Sequence, residues 1–383
     1  SGVLAVFPLL QQALLLPLIL AVSAPEPAQG ESADERYGFL VGLCDEKEWE
    51  LAAREARSFL ADFPRHAKAA LARYRLATAL FELGQRESAR NEYAALAKLE
   101  GFEFRGEVLF RLGQCELELG RAEQAAAAFE TLRGMREHYL APAAEFFLGE
   151  ARFAAGDFAA AQASYARVAP GSEYEREARY GLCWCAFRLG RHDEAVERID
   201  AYQKSYAKHE SVAELRYLAG EAHLAAGRPR EALAAFDSAR SGAFLVRALR
   251  GGAFASAALG DHADAAKRFG AVLKQELQGE FAAEARLQQG VQQLLAGDAR
   301  GAARALRDQA ADPEAAYWLA RALLESGDAA NAVATLDAAL AAKPSGEAAD
   351  RLHVLRGDAL TALGRADEAA ASYSKAQSDY ALH

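Results

Sequence analysis

Apolar residues recur at steps of three and four along most of this chain, which is the spacing that places them on one face of an α-helix. The stretches Ala70 to Leu83 and Glu87 to Leu99 both have this pattern, and both are rich in Ala, Leu, Glu and Arg, which favour helices. Between them lies Gly84, which can take a positive φ where one helix ends and the chain turns back. The pattern predicts two antiparallel helices joined by a short turn.

The same arrangement recurs nine times, as a Gly followed by an Ala five residues later and a bulky apolar residue four beyond that. The glycines are Gly84, Gly120, Gly156, Gly190, Gly227, Gly260, Gly297, Gly327 and Gly364. The alanines are Ala89, Ala125, Ala161, Ala195, Ala232, Ala265, Ala302, Ala332 and Ala369. Successive glycines are 36, 36, 34, 37, 33, 37, 30 and 37 residues apart. A period of this size predicts a solenoid built by stacking one helix-pair unit.

Small residues also recur seven positions before each of these glycines. They are Ala77, Gly113, Gly149, Cys183, Gly220, Ala253, Gly290, Ala320 and Gly357. We expect this row and the alanine row to form the close contact between the two helices of each pair, because a small side chain lets two helix backbones approach.

This Gly, Ala and aromatic pattern resembles the tetratricopeptide repeat, from residue 34 to the C-terminus. The resemblance implies an all-α fold, a right-handed α-solenoid of about ten stacked antiparallel helix pairs over residues 34–383. A degenerate first repeat is expected from Asp34 to His66, with Lys47 in the place of the glycine. There Leu40 replaces the small residue, so this repeat should pack differently. Residues 59–84 are also similar to tetratricopeptide proteins of bacterial envelopes, of the Tol-Pal coordinator and outer-membrane assembly type.

The N-terminal segment differs from the repeats. Val3 to Val22 is apolar except for Gln11 and Gln12, and no Lys or Arg precedes Arg36. An apolar core followed by small residues favours an export signal over residues 1–24, although a basic start is absent. A retained membrane anchor is the alternative, since about 20 apolar residues can span a bilayer. Residues 25–33 read as a linker. Both interpretations predict repeats that lie outside the cytoplasm, in the periplasm or anchored to a membrane. A third possibility is an apolar helix that packs on the solenoid.

Composition and motifs argue against several kinds of chemistry. The net charge is −10 and the pI about 5.5, with no basic stripe, so nucleic acid is not expected as a partner. No phosphate-binding loop, nucleophile elbow or zinc-binding helix motif occurs. Cys183 and Cys185 point about 200° apart on a helix and so cannot pair, and the four cysteines are interpreted as buried small side chains. The sequence therefore predicts no enzyme activity, no catalytic residue, no metal and no cofactor.

Binding is the function that the resemblance implies. In this family the first helix of each repeat lines the concave face, and positions ten and six before the glycine look inward. The candidate partner-binding residues in these positions are Tyr74, Phe110, Phe146, Tyr180, Trp184 and Tyr217. Aromatic side chains contribute much of the energy at protein interfaces. The alternative is that these rings only pack against the neighbouring helix.

The leading hypothesis is a scaffold that joins envelope proteins or peptides through this groove and through its C-terminal end. No polar capping helix follows the last repeat, so the face near Ala369 and Tyr373 is expected to be exposed, for another protein, for self-association, or for a longer native chain. Two further hypotheses remain: a structural subunit of an envelope transport, secretion or polysaccharide-export apparatus, and an accessory protein that binds a glycan or small ligand.

The repeat register makes a testable prediction. Replacing Ala125 by Leu should destabilise the protein by roughly 1–3 kcal/mol, because a larger side chain overpacks the contact between the two helices. Thermal unfolding of Ala125→Leu and wild type measures the effect. An unchanged melting temperature would show that the alignment of the repeats is wrong.

Overall fold

The computed structural model describes residues 32–240, 242–275 and 280–376. The predicted signal or anchor over residues 1–24, and the linker as far as residue 31, lie outside this range. Within the described residues every regular element is helical, with twenty α-helices and two short 3-10 turns, at Gly242–Phe244 and Arg307–Gln309. This confirms the all-α fold and its ten helix pairs.

The chain forms two compact units, residues 1–141 and 142–383. The helices of the first unit are α1 (Ala33–Asp45), α2 (Trp49–Asp62), α3 (Ala69–Glu82), α4 (Arg86–Ala97), α5 (Arg105–Glu118) and α6 (Ala122–Gly134). Those of the second are α7 (Ala141–Ala154), α8 (Phe158–Tyr165), α9 (Glu175–Arg188), α10 (His192–Ser205), α11 (Ser211–Ala225), α12 (Pro229–Ser238), α13 (Leu245–Ala258), α14 (His262–Leu273), α15 (Glu280–Leu295), α16 (Ala299–Leu306), α17 (Pro313–Glu325), α18 (Ala329–Ala341), α19 (Glu347–Ala362) and α20 (Ala366–Tyr373).

Successive helices pack on one another from α1 to α6 and from α8 to α20, and first helices of neighbouring pairs also touch, as α1 does with α3 and α11 with α13. Phe146 of α7 lies 6.0 Å from Tyr165 of α8. This is the packing of a stack, in which each pair covers the apolar face of the next.

The turn inside each pair needs a left-handed residue. All nine repeat glycines have positive φ, between 71° and 86°. In the first pair Lys47 takes the same conformation, with φ 61°, although it carries a side chain. A residue with a Cβ is strained there by roughly 1–2 kcal/mol, so the first turn is made at a cost that the other nine avoid.

The alanine five positions after each glycine lies in the interior of its pair. All nine are buried, eight of them with no exposed surface and Ala369 with 3%. Ala127, two residues beyond Ala125 on the same helix, is exposed and is therefore the matched control for Ala125→Leu.

The small residue seven positions before the glycine has a more specific partner than the sequence pattern indicated. A Cβ placed on Gly113, Gly149 or Gly220 would lie 2.5–2.6 Å from the bulky side chain nine positions after the glycine of the same repeat. The partners of Gly149 and Gly220 are Tyr165 and Phe236. The ring therefore lies directly on the backbone of the first helix, and glycine makes room for it.

Two of these rings are covered by glycine on both sides. Tyr165 also faces Gly181, and Phe236 also faces Gly251, at 2.7 and 2.5 Å from a Cβ placed there. Both of these glycines stand nine positions before the turn glycine of the next repeat. The ring thus fills a slot between two successive first helices.

In the degenerate first repeat, the large and the small side chain of this contact have changed places. Leu40 stands where the other repeats have a small residue, and Ala56 stands where they have a bulky one. Both are fully buried in the same apolar cluster. The contact is filled from the opposite helix, which explains how this repeat tolerates a leucine at the small position.

The slot contact can be tested with Gly220→Ala. The Cβ should clash with Phe236 and cost roughly 1–3 kcal/mol, which outweighs the gain of up to about 1 kcal/mol expected when Ala replaces Gly in a helix. Melting temperatures of the wild type and the variant measure the balance.

Gly38→Ala is the control, because Gly38 lies within helix α1, is exposed and has no atom within 4 Å of the added Cβ. It should be as stable as wild type or more so. Phe236→Leu, added to Gly220→Ala, should recover part of the loss. Equal stabilisation by Gly220→Ala and Gly38→Ala would show that the ring does not occupy the slot.

Candidate protein-binding surface

The candidate aromatic residues lie on the first helices of their pairs, but their rings differ in how much surface they leave free. In the first unit, Tyr74 is half-buried on α3 and stacks on Phe104, with ring centroids 5.2 Å apart and planes within 6°. Phe110 is half-buried on α5, with its ring edge-on to Phe129 at 6.0 Å. Both rings pack on neighbouring aromatic side chains.

In the second unit Phe146 and Tyr217 show the same packing. Phe146 exposes only 9% of its surface and stacks on Tyr174 at 5.1 Å. Tyr217 is half-buried and lies 6.1 Å from Phe244. For these rings, the packing role that the sequence left open is present in the structure.

The covering rings form a row of their own, which the sequence analysis missed. Phe104, Tyr174 and Phe244 stand sixteen positions before Gly120, Gly190 and Gly260, at or just before the start of a first helix. Each of these three rings covers a ring of the preceding repeat. Phe104 covers Tyr74, Tyr174 covers Phe146, and Phe244 covers Tyr217. The sequence pattern that could have revealed these covering rings is an aromatic residue six positions before the residue that stands ten before the glycine.

Tyr180 and Trp184 are not covered in this way. The residue sixteen positions before Gly227 is Ser211, so no ring of the next repeat stacks on Tyr180. Tyr180 is half-buried and its ring meets Tyr202 edge-on at 6.4 Å. Trp184, one turn further along α9, is half-buried beside Phe187 at 6.2 Å. Both side chains pack on the apolar cluster that contains Cys183 and Ile199, and both keep part of their surface free.

Half-buried carboxylates line the same helix faces of the second unit. Glu150 and Glu221 stand six positions before their glycines, and Glu177 and Glu214 stand thirteen before theirs. Burial raises the pKa of Glu150, of Glu214 and of Glu221 above the usual glutamate value. Glu150, Glu214 and Glu221 have therefore lost part of the hydration that stabilises their charge.

The tyrosines of the row share this environment. Burial, followed by the nearby Glu221 carboxylate, raises the pKa of Tyr217 to about 12. Burial also raises the pKa of Tyr180 well above its usual value, and Glu214 adds to that shift. The surface around Tyr180 and Tyr217 thus combines aromatic rings with partly desolvated negative charge.

Arginines end this aromatic and acidic stretch. Arg250 occupies the position that holds an aromatic ring in the preceding repeats, and its guanidinium lies 5.1 Å from the Phe254 ring and 5.4 Å from the Phe281 ring. It pairs with Glu284 at 2.7 Å. Together with Arg247 it borders a cavity of about 270 Å³ whose other walls include Tyr217 and Glu221.

In the described part of the chain, no three His, Cys, Asp or Glu side chains come together as a metal site would require. The four cysteines are all buried with free thiols. Among residues 32–240, 242–275 and 280–376, no helix is both long enough and apolar enough to cross a membrane.

The chain belongs to the tetratricopeptide repeat family. Models of this family match residues 74–137, 118–175 and 294–347, residues 152–216, and residues 213–238, and together these matches cover more than half of the chain. Its fold is that of a protein-interaction scaffold, which in this family binds proteins or peptides.

Solved structures of tetratricopeptide proteins resemble the chain at low identity. The C-terminal part of a repeat protein from Cytophaga hutchinsonii is 16% identical, with 73% of this chain and 99% of that one covered and a TM-score of 0.49. A repeat protein from Parabacteroides merdae is 15% identical, with 68% and 99% covered and a TM-score of 0.44. YrrB, a TPR protein with an unusual peptide-binding site, is 20% identical, with 48% and 92% covered and a TM-score of 0.40. No curated protein matches the chain.

Proposed function

We propose that this chain is a non-catalytic scaffold that holds a segment of a partner protein against the second unit, with Tyr180 and Trp184 at the centre of the contact. The observation that carries the proposal is that the half-buried ring of Tyr180, one helical turn from Trp184, has no ring of the following repeat stacked on it and lies among half-buried carboxylates. Tyr74, Phe110, Phe146 and Tyr217 then act mainly as supports that shape the helix faces on which the partner lies.

The partner segment should carry both apolar and cationic side chains. Rings attract apolar groups, and they also attract a Lys ammonium or an Arg guanidinium. Glu177 and Glu214 flank the centre, and burial disfavours the charged form of Glu214 in the free protein. A cation that arrives from the partner offsets this cost, so basic residues should be preferred.

The affinity for such a segment should fall as the pH is lowered. The raised pKa of Glu214 means that this carboxylate takes up a proton at a higher pH than an ordinary glutamate. A protonated carboxyl no longer attracts a cation, so contact strength is lost on the acidic side of that pKa.

We also propose that the scaffold works in a bacterial cell envelope, outside the cytoplasm. Support comes from the apolar stretch Val3 to Val22 and the linker that follows it. Partners would then be other envelope proteins, or the periplasmic segments of membrane proteins.

Peptide selection tests the binding surface. A random peptide library displayed on phage should yield ligands that combine Lys or Arg with apolar residues when it is selected on the full chain. Glu214→Gln with Glu177→Gln should remove the basic preference while keeping the fold. Tyr180→Ala with Trp184→Ala should abolish capture, checked against a melting curve.

Tyr139→Ala is the control, because Tyr139 is an aromatic residue with 70% exposure that lies in the first unit. It should capture the same peptides as wild type. Retention of the selected peptides by a folded Tyr180→Ala, Trp184→Ala variant would show that the contact lies elsewhere.

Localisation is tested by fusing alkaline phosphatase, which is active only outside the cytoplasm, behind residue 33 of the chain in a bacterial host. We expect an active fusion, and an inactive one when Leu14, Leu15 and Leu16 are all replaced by Asp. N-terminal sequencing of the exported product then separates a cleaved signal from a retained anchor. An inactive wild-type fusion would contradict the envelope proposal.

A further inference from the structure

The repeat that ends the described part of the chain has the same interior as the repeats before it, but no described helix covers it. Tyr373 occupies the bulky position nine residues after Gly364, and its ring lies on Gly357, where a Cβ would be 2.3 Å away. Its hydroxyl donates to Asp358 at 2.8 Å, just as the Tyr165 hydroxyl donates to Glu150. One side of the ring slot is thus built in full.

The other side of the slot is open. Tyr373 exposes 36% of its surface, whereas the bulky residue at this position in every other repeat exposes at most 3%. Ala366 and Ala370 of α20 are exposed as well, and the face holds a shallow, largely apolar cavity of about 240 Å³. Inside the second unit, such a face is covered by the first helix of the next repeat.

The first helix of the chain has the complementary feature. Gly38 stands nine positions before Lys47, which is the position that Gly181 and Gly251 hold in their repeats. Those two glycines receive the rings of Tyr165 and Phe236. Gly38 is exposed, and a Cβ there would meet nothing within 4 Å.

The rest of this helix face is also bare. Phe39, next to Gly38, exposes 51% of its surface, and Gly42 is exposed. The residues at the position of Gly42 in later repeats are buried, and those within the second unit include Cys185, Ala222, Ala255, Ala322 and Ala359. Helix α1 therefore carries the docking face of a first helix, and no ring from residues 32–240, 242–275 or 280–376 lies in it.

We propose that two copies of this chain associate head to tail, with Tyr373 of one copy seated on Gly38 of the next. The contact would repeat the geometry by which Tyr165 lies between Gly149 and Gly181. It would cover Phe39 with the apolar face of α20 in the same step.

The charged residues at this junction include one pair of opposite charges, which favours the contact, and one pair of like charges, which weakens it. Inside the second unit, Glu314 and Arg351 pair at 3.1 Å, and both stand thirteen positions before their glycines. Asp34 has that position in the first repeat and pairs with Lys68 at 2.8 Å in its own chain, so the junction brings Arg351 of the neighbouring copy to a carboxylate that the two cations would share. A second ion pair also joins neighbouring repeats. Arg121, one position after Gly120, pairs at 2.9 Å with Glu87, three positions after Gly84.

At the junction this second pair is lost. Glu48 holds the position of Arg121, and Asp367 of the neighbouring copy holds that of Glu87. The two like charges weaken the contact, so association should be reversible and should depend on salt. The interface joins two different surfaces, and such contacts propagate into rings or filaments.

Sedimentation velocity of the full chain in mild detergent, over a range of concentrations, tests the proposal. Gly38→Leu and Tyr373→Glu should each weaken self-association by about tenfold or more, because each disrupts the central contact. Glu48→Arg should strengthen it, by restoring the ion pair found between internal repeats. Gly134→Leu is the matched control, as an exposed helical glycine with open space around it, and should leave association unchanged.

Crosslinking decides which surfaces meet. A chain with Phe39→Cys should form a disulfide with a differently tagged chain that carries Ala370→Cys, and neither should link efficiently to its own kind. A monomeric wild type, homotypic links alone, or insensitivity to Gly38→Leu would overturn the proposal.

Discussion

The fold depends on one contact, in which a bulky side chain of the second helix lies on the backbone of the first. Tyr165 and Phe236 show its full form, with a glycine on each side of the ring. Without a Cβ at these glycines, ring and helix backbone meet at van der Waals distance over a large area, which favours both dispersion and the hydrophobic effect. The same contact holds a pair together and joins it to the next, so pairing and stacking are not independent.

Much of this could be predicted from the sequence, because the constraint falls on single residues at fixed spacing. The turn glycines and the buried alanines were visible as an unbroken register, and ten helix pairs follow from it. The register did not show which side chain lies nearest to the small row: Gly149 faces the Tyr165 ring. Spacing gives the helix face on which a residue lies, but which of the facing side chains reaches it depends on side-chain length and on the angle between helices.

The candidate surface was only partly predictable. The sequence placed Tyr74, Phe110, Phe146, Tyr180, Trp184 and Tyr217 on first helices, and the structure places them there. The sequence could not show which of these six rings are covered by other rings, because the side chains that cover Tyr74, Phe146 and Tyr217 belong to the next repeat. The environment of Glu214 was equally hidden: a lone glutamate on a helix reads as solvated, and its desolvation depends on the neighbours that surround it.

The exchange of sizes between Leu40 and Ala56 bears on how a chain like this one changes over time. Repeat arrays grow and shrink when one unit is copied or deleted, and such events are harmless only among units whose contacts are interchangeable. A single helix moved from the first pair into any other would bring leucine against another bulky side chain, or leave alanine opposite another small residue. The first pair can therefore be inherited only as a whole, which fixes one end of the array while its interior remains free to vary in number.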